Sequence, residues 1–252
     1  MTNPVIYPIP GFSDPFSSLT HLGGAAVFAL LGIGLLRRGW GNAARSVSLA
    51  VFVVTTVLLL SISGAYHLLC PRDVGRTVMQ RLDHAAIFGL IAGTFTPVYT
   101  IFFRGPQRWA ALVFVWIVAT VAITLKTIFF TVVTEGLGVA LYLGFGWVGL
   151  YVGTLLGLRY GVRFIAPLVW GAAAYTAGAV LEFLRWPTLL TGVIGPHELF
   201  HVLVLAGVGW HWRFMWDYAE GNVPEHRPMP AAPELEDDRL PAQHVEAELL
   251  GE

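Results

Sequence analysis

The chain has few charged residues. Only 12% of its 252 residues are charged, about half the share of an ordinary soluble domain, whereas 56% are hydrophobic. The first 216 residues hold only six of the 16 acids, which are Asp14, Asp73, Asp83, Glu135, Glu182 and Glu198. Because so few charges cannot solvate the surface of a soluble globule, we expect the apolar excess to face lipid.

Cysteine is almost absent, since Cys70 is the only one in the chain. A single cysteine cannot form an intramolecular disulfide, so nothing indicates an oxidising compartment. No basic region precedes the first apolar stretch, so we expect that stretch to be retained as a membrane helix. The formal net charge of −1 averages an apolar body and an acidic tail, and we expect no nucleic acid partner.

Seven apolar runs are long enough to span a bilayer, whose hydrocarbon core of roughly 30 Å requires about 20 residues of helix. They cover residues 20–36, 46–70, 82–103, 109–125, 136–158, 164–184 and 193–212. Arginines concentrate in the connections, where the chain returns to water. The pattern predicts an all-α membrane protein, a bundle of seven transmembrane helices over residues 20–216.

Two flanking segments differ in composition from this body. Residues 1–19 form an N-terminal flank, and residues 217–252 combine ten acids with five prolines. That composition is typical of a disordered tail, and a solvated tail is favoured over a partner-binding one. We expect a multi-pass protein of the cell's inner (plasma) membrane, with its oligomeric state left open.

Glycines recur at four-residue intervals in two of the predicted helices. Gly89 and Gly93 do so in the third, and Gly149, Gly153 and Gly157 in the fifth. Small residues at this interval let helix backbones approach closely in lipid. The spacing indicates helix packing rather than chemistry.

Ionisable side chains within membrane helices cost free energy unless they are paired or face a polar cavity, so each marks a candidate site. His67 ends the second helix and Asp83 opens the third, while His197, Glu198 and His201 open the seventh. If successive helices alternate in direction, these three helix ends share one membrane face. The sequence therefore predicts one site at that face.

The residue types at this face suit a metal. His197 and His201 lie one helical turn apart, and His67 completes a three-histidine set. Zinc accepts such a set when its fourth position stays open for water, as in catalytic zinc sites. Asp83 can orient a histidine or hold the water, and Ser63, one turn before His67, can donate a hydrogen bond to it or to an oxyanion.

The other ionisable residues have simpler interpretations. We expect His21 and His211 to be interfacial residues, hydrogen-bonded to backbone or to lipid headgroups. Glu182 can pair with Arg185 at the end of the sixth helix.

Residues 197–201 also read literally as HExxH, the zinc-protease signature in which the glutamate is the general base. An intramembrane metalloprotease is therefore a competing hypothesis. Against it, the motif falls on the last helix, and the chain after His201 offers no ordered segment with a third acidic ligand. In a regular helix Glu198 also points about 100° away from His197.

Several motifs resemble a known family. Ser63-x-x-x-His67, Asp83 and His197-x-x-x-His201 resemble the signature of the hemolysin III family, the bacterial branch of the progestin and adipoQ receptor superfamily. Further similarities, in the expected order, are Thr20-His21, Leu82-Asp83-His84-Ala85-Ala86-Ile87, Ala92-Gly93-Thr94-Phe95-Thr96-Pro97, Gly146-Trp147 and Tyr175-Thr176-x-Gly178. The resemblance covers roughly residues 14–216.

This resemblance implies a seven-helix bundle in which His67, His197 and His201 hold zinc, with Asp83 and Ser63 beside its water. Relatives in the wider superfamily look like zinc-dependent lipid amidases, including ceramide hydrolases. Bacterial members carry a hemolysin label, which names an effect on cells.

The chain departs from the family pattern at three positions. Asp14 stands where a glutamate is usual, Ser17 replaces a usual asparagine, and Glu182 occupies a position where an aromatic residue is expected. Since the metal set is intact, these departures concern the preference for substrate or partner more than zinc.

The leading hypothesis is a membrane-embedded zinc hydrolase acting on an amide or ester bond of a membrane lipid. Asp83 would be the general base or water-orienting group, and Ser63 a hydrogen-bond donor. The alternatives are a non-catalytic receptor or regulator with structural zinc, and a lytic or pore-forming protein that causes cytolysis.

The orientation is open between two indications. Odd-numbered loops and the start of the tail carry eight Lys or Arg, against five in the even-numbered loops. The positive-inside rule thus favours a zinc site near the outer face. Eukaryotic receptors of the superfamily look oriented the other way.

Overall fold

A computed structural model describes residues 6–225 of the chain. Seven α-helices follow one another: α1 (Pro15–Arg38), α2 (Ala43–Leu68), α3 (Val74–Phe102), α4 (Gly105–Ile128), α5 (Glu135–Tyr160), α6 (Val162–Leu184) and α7 (Pro196–Tyr218). The expected all-α bundle of seven helices is confirmed. Most of the expected acidic tail, residues 226–252, lies outside the described residues.

Six of these helices, α1 to α6, are long and apolar enough to cross a membrane. The seventh, α7, has 23 residues and packs against α6 and α1. It is less apolar because it carries six ionisable residues, namely His197, Glu198, His201, His211, Arg213 and Asp217. The chain is thus a multi-pass membrane protein whose last helix carries two of the three clustered histidines, His197 and His201.

The helices extend beyond the apolar runs that predict them. Helix α1 begins at Pro15 rather than near residue 20, and α3 begins at Val74 rather than at residue 82. An apolar run marks only the part of a helix that faces lipid, whereas the backbone hydrogen bonds continue into polar sequence. Asp83, expected to open α3, therefore lies in its third turn.

Helix α3 is the centre of the bundle. It contacts α2, α4, α5 and α7, and 72% of its apolar window is buried, against 17% for α4. The helix continues through Pro97, and Phe102 near its end packs on Phe214 of α7 with ring centroids 5.4 Å apart. The core therefore forms around α3, and α4 and α5 present most of their surface to lipid.

The glycine spacing has a packing role at some positions only. A Cβ at Gly93 would overlap Oγ1 of Thr55 on α2, and one at Gly157 would lie 3.0 Å from Ile165. Gly89 and Gly153 have no such neighbour within 4 Å. Close helix approach thus requires Gly93 and involves Gly157, but it does not depend on Gly89 or Gly153.

Alternating helix directions separate two ends of the bundle. The histidine end holds the end of α2, the first turns of α3, the end of α6 and the start of α7; its polar residues are Asp14, His67, Asp83, Glu182, His197 and His201. At the opposite end, Arg38 of α1 pairs with Glu220 beyond α7 at 2.9 Å. We call this the arginine end, and its arginines are Arg37, Arg38, Arg45, Arg104, Arg108, Arg159, Arg163 and Arg213.

Candidate metal centre

Three imidazoles converge at the histidine end. The Nε2 atom of His197 lies 3.2 Å from Nε2 of His67 and 3.1 Å from Nε2 of His201. Each residue offers a ligand atom within 4.8 Å of the others. His67 and His201 are buried, with 3% and 2% exposure, whereas the side chain of His197 is 34% exposed. The cluster predicted from sequence is therefore formed, and it is accessible on the His197 side.

These distances suit a metal ion. Zinc binds imidazole nitrogens at roughly 2.0–2.1 Å, which places two nitrogens of a tetrahedral site about 3.3 Å apart. A neutral imidazole nitrogen is either a donor or an acceptor, so Nε2 of His197 cannot satisfy both of its close neighbours by hydrogen bonding. A cation that accepts all three lone pairs removes this conflict. The three histidines thus fit a metal ion.

Carboxylates support two of the three imidazoles from behind. Nδ1 of His67 donates to Oδ2 of Asp14 at 2.9 Å, and Nδ1 of His197 lies 3.3 Å from Oε1 of Glu182. Such a bond holds the proton on Nδ1, fixes the ring and leaves the Nε2 lone pair for a metal. Both tautomers are therefore set to present Nε2 to the centre.

Asp14 is held in place by backbone and side chain together. Its N–H donates to the carbonyl of His67 at 2.9 Å, and the Arg76 guanidinium donates to its Oδ2 at 2.6 Å. Burial raises the pKa of Asp14, but the hydrogen bonds from His67 and Arg76 outweigh it and hold the pKa below the usual range. Asp14 is consequently a carboxylate at neutral pH.

Asp83 and Ser63 lie at the same end as the histidines. The Asp83 side chain is 15% exposed, and its charge interacts with both His67 and His197. Its Oδ2 lies 3.8 Å from Nδ1 of His84, which itself donates to the Gln80 carbonyl at 2.9 Å. Ser63 is buried one turn before His67. Their chemical roles stay predictions.

Glu198 of the HExxH motif is occupied elsewhere. Its Oε2 accepts the N–H of Gly195 at 2.9 Å, which caps α7, and its Oε1 accepts Oγ–H of Ser17 at 3.3 Å. This carboxylate ties the start of α7 to α1, as expected for a side chain turned away from His197. The geometry does not favour a protease-type general base here.

His21 is buried rather than interfacial. It is 3% exposed, its ring centroid lies 3.9 Å from that of His201, and its Nε2 lies 3.4 Å from the His201 carbonyl. The expectation of an interfacial residue is wrong because α1 packs against α7 at this depth. His211 instead lies 3.3 Å from the Leu168 carbonyl, toward the other end of α7.

Sequence reasoning missed two residues of this site. Asp14 was assigned to the flank, and Glu182 to a pair with Arg185; that pair exists at 3.6 Å, but the same Oε1 also lies beside His197. Alternation of helix direction already places the end of α6 with the histidines. If this alternation is applied to the acids as well as to the histidines, it makes Glu182 a candidate neighbour of the cluster.

The fold and the cluster define a class: a seven-helix membrane protein with three histidines that can hold a metal ion. The chain belongs to the haemolysin-III related family, whose model matches residues 12–212. The resemblance drawn from the motifs is thereby confirmed.

Relatives come from bacteria and plants. Hemolysin-3 of Bacillus cereus is 31% identical over 167 residues, 66% of this chain and 73% of that protein. The Hemolysin-3 homolog of Bacillus subtilis (strain 168) is 28% identical over 198 residues, 76% of this chain and 87% of that protein. Heptahelical transmembrane protein 5 of Arabidopsis thaliana is 30% identical over 188 residues, 64% and 47% of the two chains.

Proposed function

We propose that this protein is a zinc-dependent hydrolase of the cell's inner (plasma) membrane that cleaves a lipid amide or ester bond. The observation that carries the proposal is a three-histidine cluster, accessible on one side, at the same end of the bundle as the carboxylate of Asp83, whose side chain is 15% exposed. Catalytic zinc sites have the same composition: three protein ligands and one position left for water.

His67, His197 and His201 would hold the ion. Bound there, zinc would polarise the scissile carbonyl and lower the pKa of its water to about 7. Asp14 and Glu182 would keep two of the rings oriented through their Nδ1 atoms.

We assign the proton transfer to Asp83, because the other carboxylates at this end that lie near the histidines have other partners. Asp14 and Glu182 are engaged by the histidines, and Glu198 by the cap of α7. Asp83 would accept the proton of the attacking water and pass it to the leaving group. The hydroxyl of Ser63 would donate a hydrogen bond to the oxyanion that forms on the carbonyl oxygen.

The surroundings of the cluster favour a lipid substrate. Apolar side chains of the α6–α7 connection are exposed beside the start of α7, namely Trp186, Leu189, Leu190 and Val193. Exposed apolar groups next to a polar centre suit contact with acyl chains at the membrane surface. A lipid held there would present its amide or ester at the depth of the headgroups, near the half-buried His197.

The test uses purified full-length protein in nanodiscs with a panel of ceramides and other lipid amides and esters. Asp83→Asn should retain about one zinc per chain and lower turnover roughly 10²- to 10⁴-fold, as expected for loss of a general base. The matched control is Asp73→Asn, an exposed acid at the start of the same helix whose side chain makes no capping bond; it should keep full activity. Wild-type turnover in Asp83→Asn would eliminate the proposed base, and wild-type turnover in His67→Ala would eliminate the zinc hydrolase.

A non-catalytic receptor or regulator is the second candidate, and the burial of His67 and His201 favours it. A metal shared between α2 and α7 would then fasten two helices. This function predicts that chelation lowers the thermal midpoint while no lipid of the panel is hydrolysed.

A further inference from the structure

A cavity of about 450 Å³ opens at the arginine end, far from the histidines along the bundle. It lies where α3 ends, α4 begins and α5 ends, and the segment after α7 closes one side. Its main lining residues are Phe102, Phe103, Arg104, Gln107, Arg159 and Tyr160. Volumes of roughly 300–1,000 Å³ are typical of sites for small ligands.

The cavity is basic. Arg104 and Arg159 line it, and Arg108 is close enough to Arg104 for their like charges to interact. Two acids at this end of the described chain are engaged by other arginines: Asp217 by Arg213 at 2.8 Å and Glu220 by Arg38 at 2.9 Å. Glu225, just beyond the lining residue Pro224, is exposed. Arg104 and Arg159 make no ion pair with an acid among residues 6–225, and clustered arginines without a paired acid favour an anion.

Part of this charge has a structural role. Nε of Arg108 donates to the Phe103 carbonyl at 2.8 Å, and Arg159 donates to the Phe102 carbonyl at 3.5 Å. These bonds satisfy carbonyls at the end of α3. Each uses one of the five N–H donors of an arginine, so helix capping alone does not account for the cluster.

Two further features complete an anion site. Arg104 is exposed at the N-cap of α4, and its guanidinium makes no hydrogen bond or ion pair within residues 6–225, so it is available to a ligand. The first turn of α4 adds the partial positive charge of a helix N-terminus. Positive charge thus reaches the cavity from two elements, the start of α4 and the end of α5.

The position within the membrane selects the source of the anion. Phe102 and Phe103 are 4% and 1% exposed and form an apolar floor, while the arginines lie at its rim, where the helices leave the hydrocarbon. The neighbouring surfaces of α4 and α5 are apolar and exposed, for example at Phe114, Leu150 and Leu158. An anion with apolar chains attached fits this site, because its charge would meet the arginines and its chains the apolar surfaces of α4 and α5.

We propose that this cavity binds the phosphate group of an anionic phospholipid. The guanidinium of Arg159, with that of Arg104, would donate to the phosphate oxygens in the geometry that arginine favours. The acyl chains would lie along α4 and α5. Basic pockets between membrane helices commonly bind anionic headgroups on the cytoplasmic side, and the arginine count of the loops favours that side for this end.

The test measures the thermal midpoint of purified full-length protein in detergent with added phosphatidylglycerol, phosphatidylcholine or inorganic phosphate. Phosphatidylglycerol should raise the midpoint by about 5 °C, and the other two additions should not. The double variant Arg104→Gln/Arg159→Gln should lose this shift. The control Arg37→Gln/Arg72→Gln removes the same charge at two exposed arginines outside the cavity and should keep it.

A separate variant guards against misfolding. Arg104→Gln alone removes an exposed side chain that caps nothing, so the protein should fold as the wild type does and lose about half of the shift. An unchanged shift in both cavity variants would overturn the proposal, as would an equal shift with phosphatidylcholine or its loss in the control. An equal shift with inorganic phosphate would assign the site to the free anion and overturn the lipid.

The chain's own acidic tail is the competing occupant. Replacing Glu234, Glu236, Asp237 and Asp238 by their amides in the full chain tests it. A lipid shift that appears only after these replacements would show that the tail fills the cavity and would overturn the proposal. The same shift with and without them would support the lipid.

Discussion

The two ends of the bundle handle charge in opposite ways. At the histidine end, carboxylates and imidazoles are paired with one another inside the protein, as in the contacts of His67 with Asp14 and of His197 with Glu182. At the arginine end, Arg104 and Arg159 line an open cavity, and the described ion pairs there involve other arginines. One end has three histidines that could hold a metal ion within the fold, and the other offers positive charge to its surroundings.

This difference explains why so few acids serve the body of the chain. Alternating helix direction places all six acids of the first 216 residues at the histidine end. Four of them, Asp14, Asp83, Glu182 and Glu198, are buried or half-buried there, where a charge must have a partner. Arginines at the other end need no such partners because their head groups reach water or lipid headgroups. Equivalent substitutions at the two ends should therefore have very different effects.

The largest effect is expected when a metal ligand is removed. His201→Ala should lower the affinity for zinc by more than the roughly 10- to 100-fold that loss of an outer carboxylate costs, because one of three coordinating nitrogens disappears. Metal content of the purified protein, measured by mass spectrometry, should fall from about one ion per chain to a small fraction.

The control for this ligand is His211→Ala, which removes an imidazole from the same helix toward the arginine end. Its metal content should match the wild type. Equal metal loss in the two variants would show that the metal is not bound by the His67, His197 and His201 cluster.

A smaller effect is expected for Asp14→Asn. The amide can still accept the bond from His67 but carries no charge, so zinc affinity should fall roughly 10- to 100-fold in a competition assay against a chelator. Asp73→Asn, which changes an acid whose side chain makes no capping bond, should leave affinity unchanged. Unaltered zinc affinity in Asp14→Asn would show that the charge of this carboxylate does not strengthen metal binding by His67.

The same substitution has a defined pH dependence. The pKa of Asp14 lies below its usual value of 3.8, so its contribution to stability is fully present above about pH 4 and is lost as the pH falls through the lower folded value. In metal-free protein, chemical denaturation should show a constant difference between wild type and Asp14→Asn from pH 5 to 8, narrowing below pH 4. A difference that grows toward acid would contradict this sign.

Much of the fold was predictable because the bilayer imposes it. A chain that crosses lipid must satisfy its backbone hydrogen bonds internally, so long apolar runs can only be helices. Helix ends were less predictable: α3 begins at Val74, in polar sequence that no apolar window detects. The periodicity of glycine identified Gly93 correctly but gave Gly89 the same weight, since spacing does not say which face meets a neighbour.

The three histidines were predictable for two reasons: imidazoles are rare in membrane helices, and helix direction fixes their depth. The carboxylates that contact these histidines were not predictable. Asp14 contacts His67 from the segment just before α1, and the position of such a segment is not encoded by any periodic pattern. The burial of His21 also depends on the contact of α1 with α7, which only the tertiary structure provides.

The close contact of α2 with α3 at Gly93 should be sensitive to the addition of one methyl group. Gly93→Ala would place its Cβ in overlap with Oγ1 of Thr55, so α2 and α3 must separate, at a cost of about 1–3 kcal/mol. Gly89→Ala on the same helix meets nothing within 4 Å and should stay within about 0.5 kcal/mol of the wild type. Thermal unfolding in detergent measures both, and equal midpoints would mean that α3 shifts freely against α2.

The smallest effect is expected from Glu220→Gln, the arginine-end counterpart of Asp14→Asn. Its Oε1 lies 2.9 Å from Arg38, but the two side chains are 36% and 47% exposed, so water and salt screen the pair, which should contribute less than about 1 kcal/mol. Arg38 also keeps its contact with the ring of Trp216, 4.9 Å from the centroid, after the substitution. The thermal midpoint should therefore change by less than it does in Asp14→Asn, and zinc content should not change. A larger loss in Glu220→Gln than in Asp14→Asn would mean that both ends depend equally on internal ion pairs, and the contrast between them would fail.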